Sequence, residues 1–244
     1  AEAYSLKAYA QISEGEIDQA ILSFDKAIEN DKNHSVTYGE RRYWKNNICD
    51  WNTFDYELNW LDLSIKNKKN VSVPLSICSF FDSPEMQKLG AELFVNHRFP
   101  LNNSLGPISK YTKNKKIKIG YFSGDFRNHP VAYLVTELFE AHDKSKFELF
   151  AFSLSNKIES DTRVRIEKSF DEFVDAANYS DTEVALLARE KEIDIAIDLG
   201  GHTKNSRPEI FAMRAAPIQI NYLGYPGTTG TDYIDYNIAD KFIV

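Results

Sequence analysis

Residues 193–230 read IDIAIDLGGHTKNSRPEIFAMRAAPIQINYLGYPGTTG, and this stretch decides the fold. Two short apolar runs, 193–199 and 217–223, have the length and the β-branched content of buried strands. Each run ends in a glycine-rich loop that carries small polar side chains. Ligands of open α/β sheets bind outside the carboxyl ends of the strands. The loops 200–206 and 224–231 are therefore predicted to form two walls of one site.

The pattern around this stretch alternates strands with short helices from residue 115 onward. Strands separated by helices of about ten residues predict a parallel, doubly wound sheet. The predicted strands cover 116–122, 147–154, 173–175, 193–199, 217–223 and 234–239, and the predicted helices cover 132–142, 162–170, 181–191 (capped by Ser180) and 207–214. The chain before residue 115 has helical periodicity instead. The predicted fold class is thus α+α/β, a helical segment followed by a Rossmann-like parallel-sheet lobe.

Residues 1–34 have the pattern of a helical hairpin. Their small and aromatic positions match a tetratricopeptide repeat of about 34 residues, although Lys32 stands where proline is usual. The matching positions are Ala8, Gly15, Ala20, Phe24 and Ala27. A single repeat cannot bury its own apolar face. We therefore expect either further repeats before Ala1 or packing on the helices that follow, and an ordinary helical hairpin is the alternative.

Residues 35–110 are predicted to form a helical connecting region. Helices are expected over 35–48, over 50–66 with Asp50 as N-cap, and from Ser83, as cap, to Asn96. The apolar stripe of the second of these is predicted to be core: Trp51, Phe54, Leu58, Leu61 and Ile65. The stretch 99–114 is rich in Pro, Gly, Asn and Lys and predicts a linker between domains.

Composition excludes several classes of protein. The 244 residues carry a net charge of -7, which gives a nucleic-acid partner no general electrostatic support; the basic cluster 113–118 is interpreted as solvated linker. No apolar run approaches the ~18 residues of a membrane span, and no signal peptide is visible, although the chain begins with Ala1 rather than Met.

Cys49 and Cys78 are expected to be free thiols in a reducing, cytoplasmic setting. The histidines have no zinc-binding spacing, so no metal is expected.

The first predicted strand ends in the loop 123–130, SGDFRNHP. A Rossmann-type sheet places its first ligand loop here. The dinucleotide fingerprint G-x-G-x-x-G and a P-loop lysine are both absent from it, which argues against NAD, FAD or a P-loop nucleotide. Pro130 suits the first turn of a helix, with His129 just before it. His129 is therefore predicted either to face a ligand as a hydrogen-bonding imidazole or to cap the helix.

Three loops thus converge at one sheet edge: 123–130, 200–206 and 224–231. They supply imidazole, hydroxyl and backbone amide groups, a set that suits a sugar or a phosphate-bearing ligand without metal. Asp125 and Asp198 are candidates either for acid–base work or for fixing a loop. His202 follows two glycines and is expected to line the cleft, since glycine lets the backbone approach a ligand closely.

Several motifs resemble one family. IGYFSGDFRNHPVAYL (119–134), DLGGHTKNSR (198–207) and FAMRAAPIQINYLGYPGTTGTDYIDYNIAD (211–240) resemble the protein O-GlcNAc transferases and their Spindly-like and bacterial relatives. The hairpin at 1–34, the Cys49-Asp50-Trp51 stretch and PLSICSFFDSPEMQ (74–87) are similar to the same family. The resemblance covers nearly the whole chain.

The resemblance implies a fold and a chemistry. Residues 115–244 would be the N-terminal lobe of a two-lobed GT-B glycosyltransferase, half of that fold, and the repeat would present a protein acceptor. The implied reaction moves a sugar, GlcNAc from UDP-GlcNAc, to protein Ser or Thr hydroxyls without a metal ion or cofactor. Spindly-like members use GDP-fucose instead, so O-fucosyl transfer is one alternative. A protein-binding or regulatory module built on the repeat is the other.

The resemblance also implies roles for residues. His129 matches the active-site histidine. The donor and acceptor cleft would be lined by His202, Thr203, Leu223, Gly224, Tyr225, Pro226, Gly227 and Thr228, with support from Asp125, Asn128 and Tyr133. Tyr133 stands where the family often has a second histidine, and Asn205 stands where it often has glycine; asparagine tolerates left-handed backbone. Since the second lobe would follow Val244, we expect the 244 residues alone to lack transferase activity.

Overall fold

The computed structural model describes residues 1–32, 34, 36–109, 111 and 115–241. The chain divides into two compact units, Ala1–Arg98 and Phe99–Val244. The first unit contains the predicted hairpin repeat and the helices after it, and the second contains the sheet. Within the described residues, no helix is both long and apolar enough to cross a bilayer.

The first unit is helical, as predicted. Its helices are α1 (Glu2–Ser13), α2 (Ile17–Asn30), α3 (Thr37–Asn47), α4 (Phe54–Lys66), α5 (Pro74–Phe80) and α6 (Pro84–Arg98). The first two form the predicted hairpin, turning at Gly15 with a φ of +82° and burying Ala8, Ala20 and Phe24 together. The helical hairpin is therefore confirmed, whereas the tetratricopeptide assignment stays a prediction.

Two details of this unit differ from the predictions. α4 begins at Phe54 rather than near Asp50, because Thr53 has a left-handed φ of +61° that interrupts the helix. The Asp50 carboxylate accepts the Asn52 N–H at 3.0 Å, so Asp50 forms a local turn and caps no helix. Trp51 consequently lies outside the helical stripe and is 56% exposed rather than core. The helix α5 was not predicted separately, while the Ser83 cap is confirmed by its Oγ accepting the Met86 N–H at 3.3 Å.

The second unit alternates strands and helices. The strands are β1 (Ile117–Ser123), β2 (Phe147–Ser153), β3 (Glu172–Asp175), β4 (Ile195–Asp198), β5 (Ile218–Tyr222) and β6 (Tyr236–Ile238). The helices between them are α7 (Pro130–Ala141), α8 (Asp161–Ser169), α9 (Asp181–Glu190) and α10 (Pro208–Ala212). Each predicted strand and helix of this unit is present, with ends shifted by a few residues.

The sheet has the order β3-β2-β1-β4-β5-β6, and every neighbouring pair is parallel. The strand order reverses between β1 and β4, which is where doubly wound sheets bind ligands. Phe122 pairs with Asp198, which in turn pairs with Asn221, so β1, β4 and β5 end side by side. The predicted α+α/β class with a Rossmann-like sheet is confirmed.

The sheet is held between apolar layers. One cluster joins the buried faces of the strands to α7 and α8, with Val135, Phe139, Leu149 and Ile166 fully buried within it. Burial of each such side chain stabilises the fold by about 1.5–3 kcal/mol. This rigid layer fixes the strand ends from which the loops project.

The described part of the predicted linker lies against this second unit. The Asn102 N–H donates to the Ala212 carbonyl at 2.9 Å, and Arg189 donates to the carbonyls of Leu105 and Gly106, both at 3.0 Å. Residues 99–109 are therefore hydrogen-bonded to the sheet unit. Residues 110 and 112–114 of the predicted linker, like Ser35 at the predicted start of the third helix, lie outside the described residues.

We expect Leu149→Ala to lower the free energy of unfolding by about 2–5 kcal/mol, because it leaves a cavity in a fully buried layer. Leu186→Ala is the matched control on the same unit, since Leu186 is 48% exposed and should cost under ~1 kcal/mol. Urea unfolding followed by circular dichroism measures both. Equal losses for the two variants would contradict the assigned core.

Candidate functional site

The site is built from the loops that follow β1, β4 and β5. Since these strands are parallel neighbours, residues 124–129, 199–207 and 223–235 emerge at the same edge of the sheet. The convergence predicted from the sequence is thus observed. The loops contain all but one of the predicted site residues; Tyr133 lies on the first turn of α7.

The loops approach one another at glycines. A Cβ at Gly124 would lie 2.7 Å from the Asn205 Cβ, and a Cβ at Gly224 would lie 1.8 Å from the Leu199 carbonyl oxygen. Only glycine fits there, because the backbones of neighbouring loops are in direct contact. Asn205 has a φ of +65°. This is the left-handed backbone conformation that asparagine was predicted to tolerate at this position.

Asp198 fixes the loop after β4. Its buried carboxylate accepts the N–H groups of Gly200 at 2.8 Å and Gly201 at 3.0 Å. Burial raises the pKa of Asp198, against the effect of these hydrogen bonds. The structure therefore gives Asp198 the loop-fixing role, one of the two that the sequence left open.

His129 is the N-cap of α7. Its Nδ1 accepts the Val131 N–H at 3.3 Å, so the neutral ring carries its proton on Nε2. The side chain is nevertheless 33% exposed. Capping and facing a ligand, which the sequence posed as alternatives, are compatible here, because Nδ1 serves the cap and leaves Nε2–H as a donor.

An aspartate and an arginine lie beside this ring. The buried Asp125 carboxylate accepts from Arg127 Nη2 at 2.9 Å through Oδ1, and its Oδ2 lies 3.7 Å from His129 Nδ1. The Asp125 N–H donates to the Ser123 hydroxyl at 2.9 Å, which holds the loop tightly to the strand end. Asp125 thus lies beside the His129 ring, and Arg127 compensates the charge of its carboxylate.

His202 and Thr203 hold loops together. His202 Nε2–H donates to the Thr229 carbonyl at 2.8 Å, which joins the β4 loop to the β5 loop, and the ring lies edge-on to Tyr225 with centroids 5.2 Å apart. Burial lowers the pKa of His202, so the ring is neutral at pH 7. The Thr203 hydroxyl donates to the Gly200 carbonyl at 2.9 Å. His202 lines a small cavity with Asp198 and other residues, as a cleft-lining residue would.

The loop after β5 opens with a strained turn. Leu223 has a φ of +74°, and the Gly224 N–H donates to the Tyr222 carbonyl at 3.0 Å, which is the rare γ-turn of positive φ. Such a conformation costs about 1–3 kcal/mol and is concentrated at functional sites. Leu223 and Tyr225 also line a groove of about 320 Å³ beside residues 237–240.

The remaining predicted residues lie at the surface of the site. Asn128, Pro226 and Thr228 are exposed, and Gly227 is half-buried. The Thr228 hydroxyl accepts the Gly230 N–H at 3.2 Å. Tyr133 is 59% exposed, so its hydroxyl is available to a ligand.

Three supporting residues were not predicted from the sequence. Arg127 pairs with Asp125, and the signal for it was a cation two residues after an aspartate in a ligand loop. Gln219 and Asn221 are buried polar residues inside the strand β5. Gln219 Nε2 donates to the carbonyls of Phe211 at 2.9 Å and Tyr233 at 2.6 Å. Polar residues in a predicted buried strand indicate such internal hydrogen bonds.

The described residues contain no group of three or more His, Cys, Asp or Glu side chains arranged to hold a metal ion. The groups that the site offers are two imidazoles, two carboxylates that hold loops, hydroxyls and backbone amides. This set can orient a hydroxyl and bind a polar ligand by hydrogen bonds.

Comparisons with known proteins agree on one family. The model for glycosyl transferase family 41 matches residues 94–244. A probable UDP-N-acetylglucosamine–peptide N-acetylglucosaminyltransferase, SEC, from Arabidopsis thaliana is 40% identical over 137 residues, 56% of this chain and 14% of that protein. The UDP-N-acetylglucosamine–peptide N-acetylglucosaminyltransferase of Caenorhabditis elegans is 32% identical over 220 residues, 79% of this chain and 18% of that protein. The chain therefore spans less than a fifth of the length of either relative.

A solved structure of a mutant O-GlcNAc transferase from Thermobaculum terrenum has the same fold. It superposes with a TM-score of 0.60 at 19% identity, covering 98% of this chain and 53% of the other. At that identity the likeness concerns the fold alone.

The lowered pKa of His202 predicts a pH effect on stability. The unfolded chain takes up a proton near the ordinary pKa of about 6.5, whereas the folded chain does so only at lower pH. Its contribution to the free energy of unfolding is therefore full above about pH 6.5 and is lost as the pH falls through the lowered pKa.

His202→Gln keeps an N–H donor toward Thr229 and removes this titration. We expect urea unfolding of the variant to lose less stability than the wild type between neutral and mildly acidic pH. Above neutral pH the two proteins should respond in parallel, which serves as the internal control. An unchanged acid dependence in the variant would contradict the assignment.

Proposed function

The chain belongs to glycosyl transferase family 41, and on that premise we propose that it forms one lobe of an enzyme that transfers GlcNAc from UDP-GlcNAc to Ser or Thr hydroxyls of proteins. The observation that carries the proposal is His129. It lies partly exposed in the loop that follows β1, beside the point where the strand order reverses, with its ring fixed by the helix that it caps. The names of the relatives from Arabidopsis and Caenorhabditis support the donor and the peptide acceptor.

The reaction makes three demands on the protein. The acceptor hydroxyl must be aimed at the anomeric carbon, its proton must leave, and the negative charge that develops on the diphosphate must be stabilised. The bond from the hydroxyl oxygen to the anomeric carbon forms as the bond from that carbon to the diphosphate oxygen breaks.

His129 suits the first demand. With Nδ1 occupied by the Val131 N–H, the ring presents Nε2–H, which donates a hydrogen bond to an oxygen of the acceptor or the sugar. To accept a proton on Nε2, the ring must first carry its proton on Nδ1; this breaks the hydrogen bond from the Val131 N–H and leaves Asp125 Oδ2, 3.7 Å away, to accept the proton of Nδ1. We therefore assign His129 the role of orienting group or proton relay, with Asp125 supporting the second role.

In this proposal the loop after β5 forms part of the pocket wall. Leu223, Gly224 and Tyr225 stand directly against the β4 loop, so the backbone amides of 224–227 lie at the same edge as His129. The three loops form one wall of a cleft, and we propose that a second lobe supplies the facing wall and the remaining donor contacts. The 244 residues alone should then show no turnover.

We expect His129→Ala to lower kcat by about a hundredfold or more in the longest natural polypeptide that contains this sequence. His129→Asn is the discriminating variant, because asparagine is a good N-cap but has no imidazole. Loss of turnover in both variants supports a chemical role. Recovery in the asparagine variant would show that only the cap mattered. His142→Gln, at the opposite end of α7, is the control histidine and should leave turnover unchanged.

A donor assay tests the sugar and the metal independence. With a radiolabelled donor and a Ser/Thr-containing peptide, we expect transfer from UDP-GlcNAc, little from GDP-fucose, and no loss of rate in the presence of EDTA. A preference for GDP-fucose would assign fucosyl transfer instead. Loss of activity with EDTA, restored by a divalent cation, would contradict the metal-independent proposal.

A further inference from the structure

A groove of about 280 Å³ lies in the helical unit. Its lining comes from four places in the chain: Lys32 and His34 before α3, Tyr38 of α3 with Trp60 of α4, residues 69–71 after α4, and His97 near the end of α6. Its walls are fixed by backbone hydrogen bonds, from the Val36 N–H to the Asn70 carbonyl at 3.3 Å and from the Gly39 N–H to the Val71 carbonyl at 2.9 Å. The groove is therefore preformed in the folded unit.

An aromatic pair forms the apolar part of this groove. The rings of Tyr38 and Trp60 stack with centroids 3.9 Å apart and an angle of 27° between their planes. Both side chains are half-buried and line the groove. Such a pair offers a flat apolar surface to a ligand side chain.

The polar part of the groove is basic. Its polar lining includes two lysines and two histidines: Lys32, Lys69, His34 and His97. No carboxylate is among the described lining residues. Lys32 and Lys69 are exposed and form no ion pair within the part of the chain that the structure describes. The chain as a whole carries a net charge of -7, so the positive charge of Lys32 and Lys69 is opposite in sign to the overall charge.

A second groove on the same aromatic pair provides the contrast. It is also lined by Tyr38 and Trp60, and its cation is Arg41. Arg41 is already neutralised, because it donates to Asp25 and Glu57, each at 2.7 Å. Uncompensated positive charge is thus a property of the first groove and not of the aromatic pair.

We propose that the first groove binds an acidic peptide segment, with one apolar or aromatic side chain against the Tyr38–Trp60 pair and carboxylates toward Lys32 and Lys69. Charge complementarity selects the acidic character, since the rim presents cations without carboxylates. The aromatic pair favours binding of a peptide over a simple anion, because only a ligand with an apolar side chain is stabilised by contact with that surface. The lining residues of the groove all belong to the helical unit, and its occupation requires no sugar transfer.

The test is a binding titration of the 244-residue chain without any sugar donor. The probes are a fluorescein-labelled peptide with one tyrosine between glutamates and the same peptide with every glutamate replaced by glutamine. Fluorescence anisotropy should show binding of the acidic peptide, weakened by added salt, and about tenfold weaker binding of the neutral one. Trp60 should report the event as a change in emission that is lost in Trp60→Phe, while anisotropy still detects the complex.

Charge reversal locates the site. Lys32→Glu with Lys69→Glu should weaken the acidic peptide about tenfold. Lys7→Glu with Lys168→Glu changes the net charge equally at exposed positions elsewhere and should leave the affinity within about twofold. All four positions are exposed lysines, so both double variants should fold, as circular dichroism will verify.

Three outcomes would overturn the proposal: equal affinity for the acidic and the neutral peptide, equal weakening by the two double variants, or displacement of the peptide by inorganic phosphate at matched ionic strength. The last outcome would indicate a simple anion site. Because no donor is present, failure here leaves the transfer proposal untouched, and failure of the transfer assay leaves this binding result untouched.

Discussion

The parallel pairing of β1 with β4 is the constraint on which the site depends. It sets Phe122 opposite Asp198, and β5 extends the same register to Asn221. Three loops must then leave the sheet within a few ångströms of one another. This crowding explains why backbone meets backbone at Gly224 and Leu199, where a single Cβ would not fit. The register of the strands therefore brings the three loops of the site together, and the side chains on those loops then determine its chemistry.

One ring nitrogen links the stability of α7 to the chemistry of the site. His129 uses Nδ1 to accept the first free N–H of the helix, and this bond determines which nitrogen faces outward as a donor. The helix therefore orients the imidazole without a further side chain. Asp125 lies next to the ring, and its ion pair with Arg127 keeps the buried carboxylate from being an unpaired charge.

Buried polar side chains hold the loops of the site in place. Asp198, His202 and Gln219 hydrogen-bond to loop backbone, and each joins segments that the strands alone would leave free. Burial raises the pKa of Asp198 and lowers the pKa of His202, and the hydrogen bonds of both side chains to loop backbone give them a role in holding structure. In the helical unit, Arg41 is paired with two carboxylates, whereas Lys32 and Lys69 of the first groove form no such pair within the described residues.

The sequence by itself determined the α+α/β class, the six strands, the three converging loops and the position of His129 at the start of a helix, because apolar period, glycine-rich loops and a proline in the first turn are local properties. It misplaced the start of α4, since the left-handed turn at Thr53 leaves no mark in the apolar period. Only the tertiary structure decided what the polar side chains do. Whether Asp198 fixes a loop, or which nitrogen of His129 is free, depends on partners brought together by folding. Strand pairing across long sequence separations supplies those partners, and no local pattern encodes it.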